Sequence, residues 1–478
     1  MNPTARHFKK SAQVALVDPD LQRAMGFIRG GFVKNRRAAL ERLPEFDELR
    51  RAARGIKEHT LQNLDFYLEA FEKRVLANGG KVHWASTPEQ ACDIVIGICR
   101  QAGAKGVTKG KSMVGEEIAI NEALEKAGFE AIETDLGEYI IQLAKEPPSH
   151  IIAPAVHKTK SQITELFYKH HARYGLTERQ TEVPALVDEA RKVLREKFLS
   201  ADVGITGANF LIAETGSTVI VTNEGNGDLT NTLPPVHIVT AGIEKVVPTR
   251  EDASTLLRVL ARSATGQEMS VYTTFSTGPR RAEDLDGPKD FHVVLVDNGR
   301  SQMLGNEFHE MLRCIRCGAC MNHCPVYQGI GGHAYGWVYV GPMGSVLTPL
   351  MVGLDEAGDL PNACTLNGRC QEVCPMGIGL PGMLRQLRRR QYQSRRSSRV
   401  SRAALAGWSF LASRPRLYRR VMGAAVACLA WLGRGRGRFR HMLLAGGWTS
   451  VRDLPAPQGA SFQNQWRTRR RNSQEAQP

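Results

Sequence analysis

Seven of the ten cysteines of this 478-residue chain lie in two short runs, and the first run constrains the fold most. That run reads Cys314-Ile-Arg-Cys317-Gly-Ala-Cys320-Met-Asn-His-Cys324-Pro325. Its spacing, C-x2-C-x2-C-x3-C-P, is typical of iron–sulfur proteins, in which three thiolates bind one cluster and the fourth, next to the proline, binds another. Zinc favours separated C-x2-C pairs that close one tetrahedron. The run therefore predicts an iron–sulfur centre rather than a zinc site.

A second run, Cys364-Thr-Leu-Asn-Gly-Arg-Cys370-Gln-Glu-Val-Cys374-Pro375, partly repeats the first. Crossed ligation, in which each run lends its last thiolate to the other run's cluster, predicts two clusters. Cluster one, a [4Fe–4S] cluster, would be bound by Cys314, Cys317, Cys320 and Cys374. Cluster two would be bound by Cys324, Cys364 and Cys370.

The fourth position of cluster two is occupied by Asn367. A neutral amide oxygen is a harder and poorer ligand for iron than a thiolate. Three forms of cluster two therefore remain open: a [3Fe–4S] cluster, a [4Fe–4S] cluster with one labile or differently bound iron, and a complete cluster with a remote ligand.

Cysteine usage and apolar runs indicate the compartment. Ten cysteines in so long a chain do not resemble a secreted disulfide framework. The first residues contain no apolar segment typical of a secretory signal. The longest C-terminal apolar run, Val421 to Leu432, is shorter than the roughly 20 residues of a spanning helix. We expect a cytoplasmic protein, with a peripheral position on the inner face of the cell membrane as an open alternative.

The net charge of +15 is concentrated at the C-terminal end. Residues 381–478 contain 21 Arg, no Lys and two acidic residues, a net charge of +19, which leaves −4 for the preceding part. Charge alone does not predict nucleic-acid binding, and we expect none. The apolar segments Ala404–Phe410 and Val421–Leu432 are flanked by arginines, a pattern that suits either a lipid interface or an acidic partner subunit. From Gln458 onward the composition predicts disorder.

Hydrophobic periodicity divides the chain into four regions. Residues 1–85 have helical spacing and are expected to pack on the next region, 86–300, where short apolar runs predict an α/β domain. Residues 301–392 hold the cysteine runs, and 393–478 form a basic, partly helical region. Four apolar segments are predicted to be buried strands: Asp93–Gly97, Thr218–Asn223, His237–Gly242 and Val293–Gly299.

Three glycine-rich turns lie beside predicted strands, at Gly204–Asn209, Glu214–Thr218 and Asn223–Gly227. Turns at strand ends hold ligands in α/β folds, because their backbone amides can face an anion. Ordinary turn chemistry explains the same residues equally well. For the loop Lys109–Met113 we favour a solvated loop, and for His333 a structural hydrogen bond.

A succession of motifs resembles a known family in order along nearly the whole chain. The α/β region is similar to the lactate utilisation (LUD) domain in Lys111–Ile118, Glu133–Leu143, Pro147–His150, Ile205–Asn209, Ala213–Gly216, Gly242–Lys245 and Arg262–Gly266. Together with Gly331–Trp337 and both cysteine runs, the chain resembles the lactate utilisation protein B family, the iron–sulfur subunits of bacterial L-lactate oxidation complexes.

The resemblance implies a LUD α/β domain, related to the sugar-isomerase and CoA-transferase group, followed by an α-helical ferredoxin-like module with two clusters. It implies an electron-transfer subunit that acts with two further lactate-utilisation subunits to oxidise L-lactate to pyruvate. Two alternatives remain open. The substrate could be another 2-hydroxy acid such as glycolate. The LUD domain could instead be an acid-binding or group-transfer enzyme, with Glu214 as base or nucleophile and regulatory clusters. No flavin-binding pattern is visible in the sequence.

Overall fold

The computed structural model describes residues 3–442, 446–449 and 452–475. The chain divides into two units, residues 1–390 and residues 391–478. The first unit contains the N-terminal helices, the α/β domain and both cysteine runs.

Five helices open the first unit: α1 (Phe8–Val17), α2 (Pro19–Gly30), α3 (Phe32–Glu41), α4 (Phe46–Gln62) and α5 (Leu64–Ala77). Helices α4 and α5 pack on the α/β domain, as expected for residues 1–85. Helices α1 and α2 pack on the cysteine-bearing segment instead, which corrects that expectation. Specific contacts hold them there. The centres of the Phe8 and Tyr335 rings lie 5.7 Å apart, and Gln22 Nε2 donates to the Gly329 carbonyl at 2.7 Å.

The helical pattern of the N-terminus stops earlier than the sequence predicts. Helix α5 ends at Ala77, and Gly79 follows with a φ of 85°, which favours glycine. Residues Lys81–Ala85 then form a strand, so the helical assignment of 81–85 is wrong.

Ten strands of the first unit form two sheets: β1 (Lys81–Ala85), β2 (Gly106–Lys109), β3 (Glu130–Glu133), β4 (Val203–Gly207), β5 (Phe210–Ile212), β6 (Ser217–Thr222), β7 (Val236–Gly242), β8 (Val246–Val247), β9 (Tyr272–Ser276) and β10 (Asp290–Val296). The larger sheet is entirely parallel, in the order β1-β10-β7-β4-β2-β3, with Ile205 opposite Ile238 and Val239 opposite Val293. The smaller sheet has the order β8-β5-β6-β9. These strands confirm three of the four predicted ones.

Eight further helices belong to the α/β domain: α6 (Pro88–Gln101), α7 (Met113–Glu117), α8 (Ile120–Lys126), α9 (Leu136–Ala144), α10 (Lys160–His171), α11 (Val183–Leu199), α12 (Asn226–Thr232) and α13 (Arg250–Ala264). The predicted strand at Asp93–Gly97 is wrong, because this segment lies inside α6. The Thr87 hydroxyl caps that helix by accepting the Gln90 N–H, and Pro88 occupies its first turn. The buried residues Ala91, Val95 and Ile98 follow helical spacing.

The cysteine-bearing segment contains six helices: α14 (Ala319–Asn322), α15 (Pro325–Ile330), α16 (Gly341–Met351), α17 (Gly353–Ala357), α18 (Arg369–Glu372) and α19 (Leu380–Gln393). Its apolar side chains share one core with α1, α2, α4 and α13. This common core holds the segment against the α/β domain.

The second unit contains α20 (Arg399–Ala412), α21 (Pro415–Gly433), the antiparallel pair β11 (Arg438–Phe439) and β12 (Leu454–Pro455), α22 (Gly446–Thr449) and α23 (Phe462–Glu475). Helix α23 lies where the sequence predicts disorder. Ser461 accepts the Asn464 N–H at its start, so the disorder prediction is wrong for 462–475, while 476–478 lie outside the described residues. Across the described part of the chain, no helix has the length and apolar character needed to cross a bilayer.

Candidate metal centre

Four thiols line one small cavity between the two cysteine runs: Cys314, Cys317, Cys320 and Cys374. The other walls are largely apolar and include Ile151, Ile315, Met343, Met376, Ile378 and Leu380. Burial, and then the neighbouring Cys374, raise the pKa of the Cys317 thiol to about 12. Four convergent thiols in an apolar cavity fit a [4Fe–4S] cluster, whose binding requires those thiols to lose their protons. The set is the one that crossed ligation predicts for cluster one.

The local backbone explains how a short run brings its thiols together. In the first run, Arg316 and Gly318 have φ angles of 58° and 74°, in the left-handed region, and α14 starts at the next residue. In the second run, Leu366 and Gly368 have φ angles of 56° and 83°, and α18 starts at the next residue. The two runs therefore repeat one loop-to-helix conformation.

The remaining three thiols of the runs, from Cys324, Cys364 and Cys370, form a second group. Burial, and then the neighbouring Cys364 and Cys324, raise the pKa of the Cys370 thiol to about 12. Burial also raises the pKa of the Cys324 thiol, and Cys364 adds to that shift. These three thiols therefore act on one another electrostatically, as expected for the grouping that crossed ligation predicts for cluster two. The grouping fits a cluster with three protein thiolates, although ligation itself stays a prediction.

Asn367, which takes the place of a fourth thiol, is exposed. Its Oδ1 accepts the Arg369 N–H at 3.1 Å, so the side chain is used as a local cap. A different polar group lies near the second thiol group. The buried Tyr335 hydroxyl is adjacent to the Cys324 thiol, to which it can donate, and it makes no other hydrogen bond among the described residues.

Positive side chains from the N-terminal helices reach cluster one's thiol group. Arg50 Nη2 donates to the Cys374 carbonyl at 2.7 Å, and Arg36 Nη2 donates to the Val373 carbonyl at 3.1 Å. A [4Fe–4S] cluster with four thiolates is an anion, so these guanidinium groups complement it. Neither arginine stands out in the sequence, because more than 300 residues separate each from its partner.

A second cavity, of about 260 Å³, lies at the carboxyl ends of strands β2, β4 and β7. Its lining includes Ser112, Asn209 and Asn226 from two of the three glycine-rich turns and from the loop Lys109–Met113. The sequence favoured a solvated loop there, which the structure corrects: Ser112 is buried, caps α7 and lies 3.2 Å from Thr240 Oγ1.

A buried ionic network joins this second cavity to cluster one's thiol group. Arg300 pairs with Glu117 at 2.8 Å and with Glu244 at 2.7 Å. Burial alone would raise the pKa of the Glu244 carboxyl, but the neighbouring Arg300 and Arg316 lower it to about 2. The Arg316 guanidinium also lies 4.7 Å from the centre of the Tyr339 ring, and Arg316 lines both cavities. Paired in this way, the charges can remain in the interior.

Lys245 is a further cation in the wall of the second cavity. It is buried, and burial lowers the pKa of its amine to about 8, although the nearby Glu244 opposes this shift. No carboxylate among the described residues forms an ion pair with its Nζ.

Three family models match successive parts of the chain: the LUD domain at residues 68–296, the 4Fe-4S dicluster domain at 310–378, and the C-terminal region of lactate utilisation protein B at 386–471. Lactate utilization protein B of Bacillus velezensis is 44% identical over 91% of this chain and 91% of its own length. The corresponding protein of Oceanobacillus iheyensis is 43% identical over 95% of this chain and 94% of its own length. The chain belongs to the lactate utilisation protein B family.

An Escherichia coli relative, named the uncharacterized electron transport protein YkgF, is 41% identical over 96% of this chain and 95% of its own length. A solved DUF162 family protein from Deinococcus radiodurans aligns with 49% of this chain and 98% of its own, at 14% identity and a TM-score of 0.27, too weak a similarity to bear on the fold.

For this member of the lactate utilisation protein B family, the matches confirm a LUD α/β domain with a parallel sheet followed by a 4Fe-4S dicluster domain. The LUD match contains the six-stranded sheet and the second cavity's strand ends. The dicluster match contains all seven thiols described above.

The structure places Glu214 away from both cavities. Its carboxylate is exposed and lies 3.8 Å from Arg250 Nε. Its role as base or nucleophile stays a prediction that this position does not favour. His333 is also exposed, and its Nε2 lies 2.8 Å from the Pro147 carbonyl, in agreement with a structural hydrogen bond.

Proposed function

We propose that this protein is the iron–sulfur electron-transfer subunit of a multi-subunit complex that oxidises L-lactate to pyruvate. The observation that carries the proposal is the convergence of four thiols on one apolar cavity, inside a dicluster domain that also contains the three other cysteines of the two runs. The names of the relatives, which refer to lactate utilization and electron transport, support it further.

The proposed chemistry needs a one-electron carrier. Oxidation of L-lactate to pyruvate releases two electrons and two protons, and iron–sulfur clusters accept and donate electrons singly. Cys314, Cys317, Cys320 and Cys374 would hold cluster one as [4Fe–4S], and Cys324, Cys364 and Cys370 would hold cluster two as [4Fe–4S] or [3Fe–4S]. The apolar walls exclude water, and Arg36 and Arg50 add positive charge beside cluster one. The positive charge stabilises the reduced form, which carries one more negative charge, whereas exclusion of water by the apolar walls acts in the opposite direction.

We place the acceptor of the substrate's hydrogen atoms in one of two partner subunits, as the family resemblance implies. In this scheme, the chain receives electrons at one cluster and delivers them from the other to a partner or a membrane acceptor. The enzyme activity then belongs to the assembled complex.

A growth experiment tests this function. A strain without this gene and without another lactate dehydrogenase should fail to grow on L-lactate and should recover with the wild-type gene. The Cys317→Ser variant should not restore growth, whereas the control Cys428→Ser should, because Cys428 is exposed and lies outside both thiol groups. Normal growth of the deletion strain on L-lactate would contradict the proposal, and a defect on glycolate instead would favour that substrate.

We further propose that the basic second unit contacts anionic membrane lipids from the cytoplasmic side. Helices α20 and α21 expose Trp408 and Trp431, which are 64% and 67% accessible, beside many arginines. Exposed aromatic side chains with basic neighbours suit a lipid interface. The double variant Trp408→Ser, Trp431→Ser should lose flotation with anionic vesicles. Retention of partner subunits without any vesicle binding by the wild type would favour an acidic protein partner instead.

A further inference from the structure

We propose that the cavity at the ends of β2, β4 and β7 binds a small carboxylate of the 2-hydroxy-acid or 2-oxo-acid class, with Arg316 and Lys245 as its charged ligands. The choice of a hydroxy acid rests on the proposed function, whereas the carboxylate site rests on the geometry. The proposed binding site lies in the LUD domain, beside cluster one's thiol group.

The position of the cavity is the first support. In the sheet, β2 has β3 as its neighbour on one side and β4 on the other. Beyond β4 lie β7 and then β10, so the chain adds strands on one side of β2 first and on the other side afterwards. Ligands of open parallel sheets bind at the carboxyl ends of strands, at the point where the strand order reverses. The cavity includes Gly110 after β2 and Gly207 at the end of β4. A Cβ on Gly207 would lie 2.9 Å from Ser112 Oγ, so only glycine leaves this wall in place.

The charges in the cavity are the second support. Arg316 Nη1 is buried and has no hydrogen-bond partner among the described residues. The acidic residues of the wall are already engaged: Asp135 caps α9, and Glu224 accepts the Leu136 N–H at 3.4 Å. Arg316 pairs with Glu244 through Nη2 at 3.5 Å, but its buried Nη1 still lacks an acceptor, and an unsatisfied buried donor is costly. An anion would satisfy Arg316 and Lys245 together.

The remaining wall suits a small hydroxy acid. Ser112, Thr240 and Asn209 supply groups that can hydrogen-bond a hydroxyl or a keto oxygen. Leu260 and Ala264 form an apolar part that can contact a methyl group. A volume of about 260 Å³ is near the lower end of ligand cavities, which favours a small molecule. A planar carboxylate also matches the geometry of a guanidinium group.

The cavity also adjoins cluster one's thiol group. Arg316 and Ile151 line both cavities, so one layer of side chains separates the bound acid from that group. Such proximity would let a bound acid alter the electrostatic surroundings of cluster one.

Equilibrium binding to the full chain, with its clusters assembled and without partner subunits, tests the site. We expect saturable binding of L-lactate and pyruvate at concentrations up to about 10 mM. Lys245→Gln should weaken binding about tenfold or more, the size of a lost charge-assisted hydrogen bond. The control Lys289→Gln, at an exposed lysine outside the cavity, should bind as the wild type does.

A second variant keeps the test informative if Lys245→Gln does not fold. Ala264→Leu adds bulk to the apolar wall and should abolish binding while iron content remains unchanged, although overpacking at this buried position lowers the melting temperature. Wild-type affinity in both variants would overturn the site. Tighter binding of inorganic phosphate would overturn the carboxylate class, and equal binding of propionate would overturn the preference for a hydroxy or keto group.

Failure of the site and failure of the proposed function are distinguishable. Lactate binding by the isolated chain, combined with normal growth of the deletion strain on L-lactate, would preserve the site and reject the function. Absence of binding, combined with loss of growth, would reject the site and preserve the electron-transfer function.

Discussion

The first and second cysteine runs follow the same backbone path but offer different side chains to a metal. Both have left-handed residues two and four positions after the first cysteine, and a short helix then follows. At the position between them, the first run has the buried Cys317, whereas the second has the exposed Asn367. The loop conformation therefore does not depend on a thiol at that position. Glycine and local capping suffice to form it.

The largest expected effect is the loss of one cluster. Cys317→Ser should abolish cluster one and reduce iron content by about half, because a hydroxyl replaces a soft thiolate ligand. Asn367→Ala, the equivalent change in the second run, should leave both clusters intact. Iron and sulfide analysis with EPR of anaerobic protein measures both. Loss of iron in Asn367→Ala would show that the amide is a ligand.

The next change makes the two runs alike. Asn367→Cys should supply a fourth thiolate to cluster two, provided that its side chain can turn inward from the exposed position. We expect any [3Fe–4S] EPR signal to disappear and cluster two to resist loss of iron in air. Arg369→Cys, two residues away and also exposed, is a control that should change neither. An unaltered [3Fe–4S] signal in Asn367→Cys would contradict a vacant ligand position there.

A smaller effect concerns the tyrosine next to cluster two's thiols. Tyr335→Phe should make the midpoint potential of cluster two roughly 20–60 mV more negative, because we expect the buried Tyr335 hydroxyl to donate to a sulfur of the bound cluster, and such a hydrogen bond stabilises the reduced form by about 0.5–1.5 kcal/mol. Redox titration followed by EPR measures this shift. The potential of cluster one should not move, and an equal shift of both clusters would indicate a general structural change.

The smallest effect concerns cluster one. Arg50→Gln should make its potential roughly 10–40 mV more negative, because a cation beside Cys374 is lost but its side chain is partly exposed, at 25%. The adjacent exposed Arg51→Gln provides the control. If Arg50→Gln shifted cluster two instead, the assignment of Cys374 to cluster one would be in doubt.

The thiol groups were predictable because spacing along a short run determines which sulfurs can converge. The sequence also showed that Asn367 occupies the position at which the first run has a cysteine. In contrast, the sequence could not place Tyr335 beside Cys324, because a turn and a helix separate them and only the tertiary packing brings them together.

The local hydrophobic pattern gave a wrong strand prediction within α6. The three apolar residues within Asp93–Gly97 fit a strand or a helix equally well, and the cap at Thr87 and the Pro88 that follows it favour the helix. The sequence predicted only part of the second cavity. Its glycine-rich turns were candidates for ligand binding, but Lys245 and Arg316 were not. These two residues are 71 positions apart, and the cavity they share forms where the LUD domain meets the dicluster domain.

The central claim is that the two runs exchange their last thiolates. EPR spectra of single variants in both the oxidised and the reduced state test it most directly, since a [3Fe–4S] cluster gives its signal when oxidised and a [4Fe–4S] cluster when reduced. Cys374→Ser is predicted to lose the same signal as Cys317→Ser, and Cys324→Ser the same signal as Cys370→Ser. If Cys374→Ser instead loses the signal that Cys370→Ser loses, each run serves its own cluster and crossed ligation is contradicted.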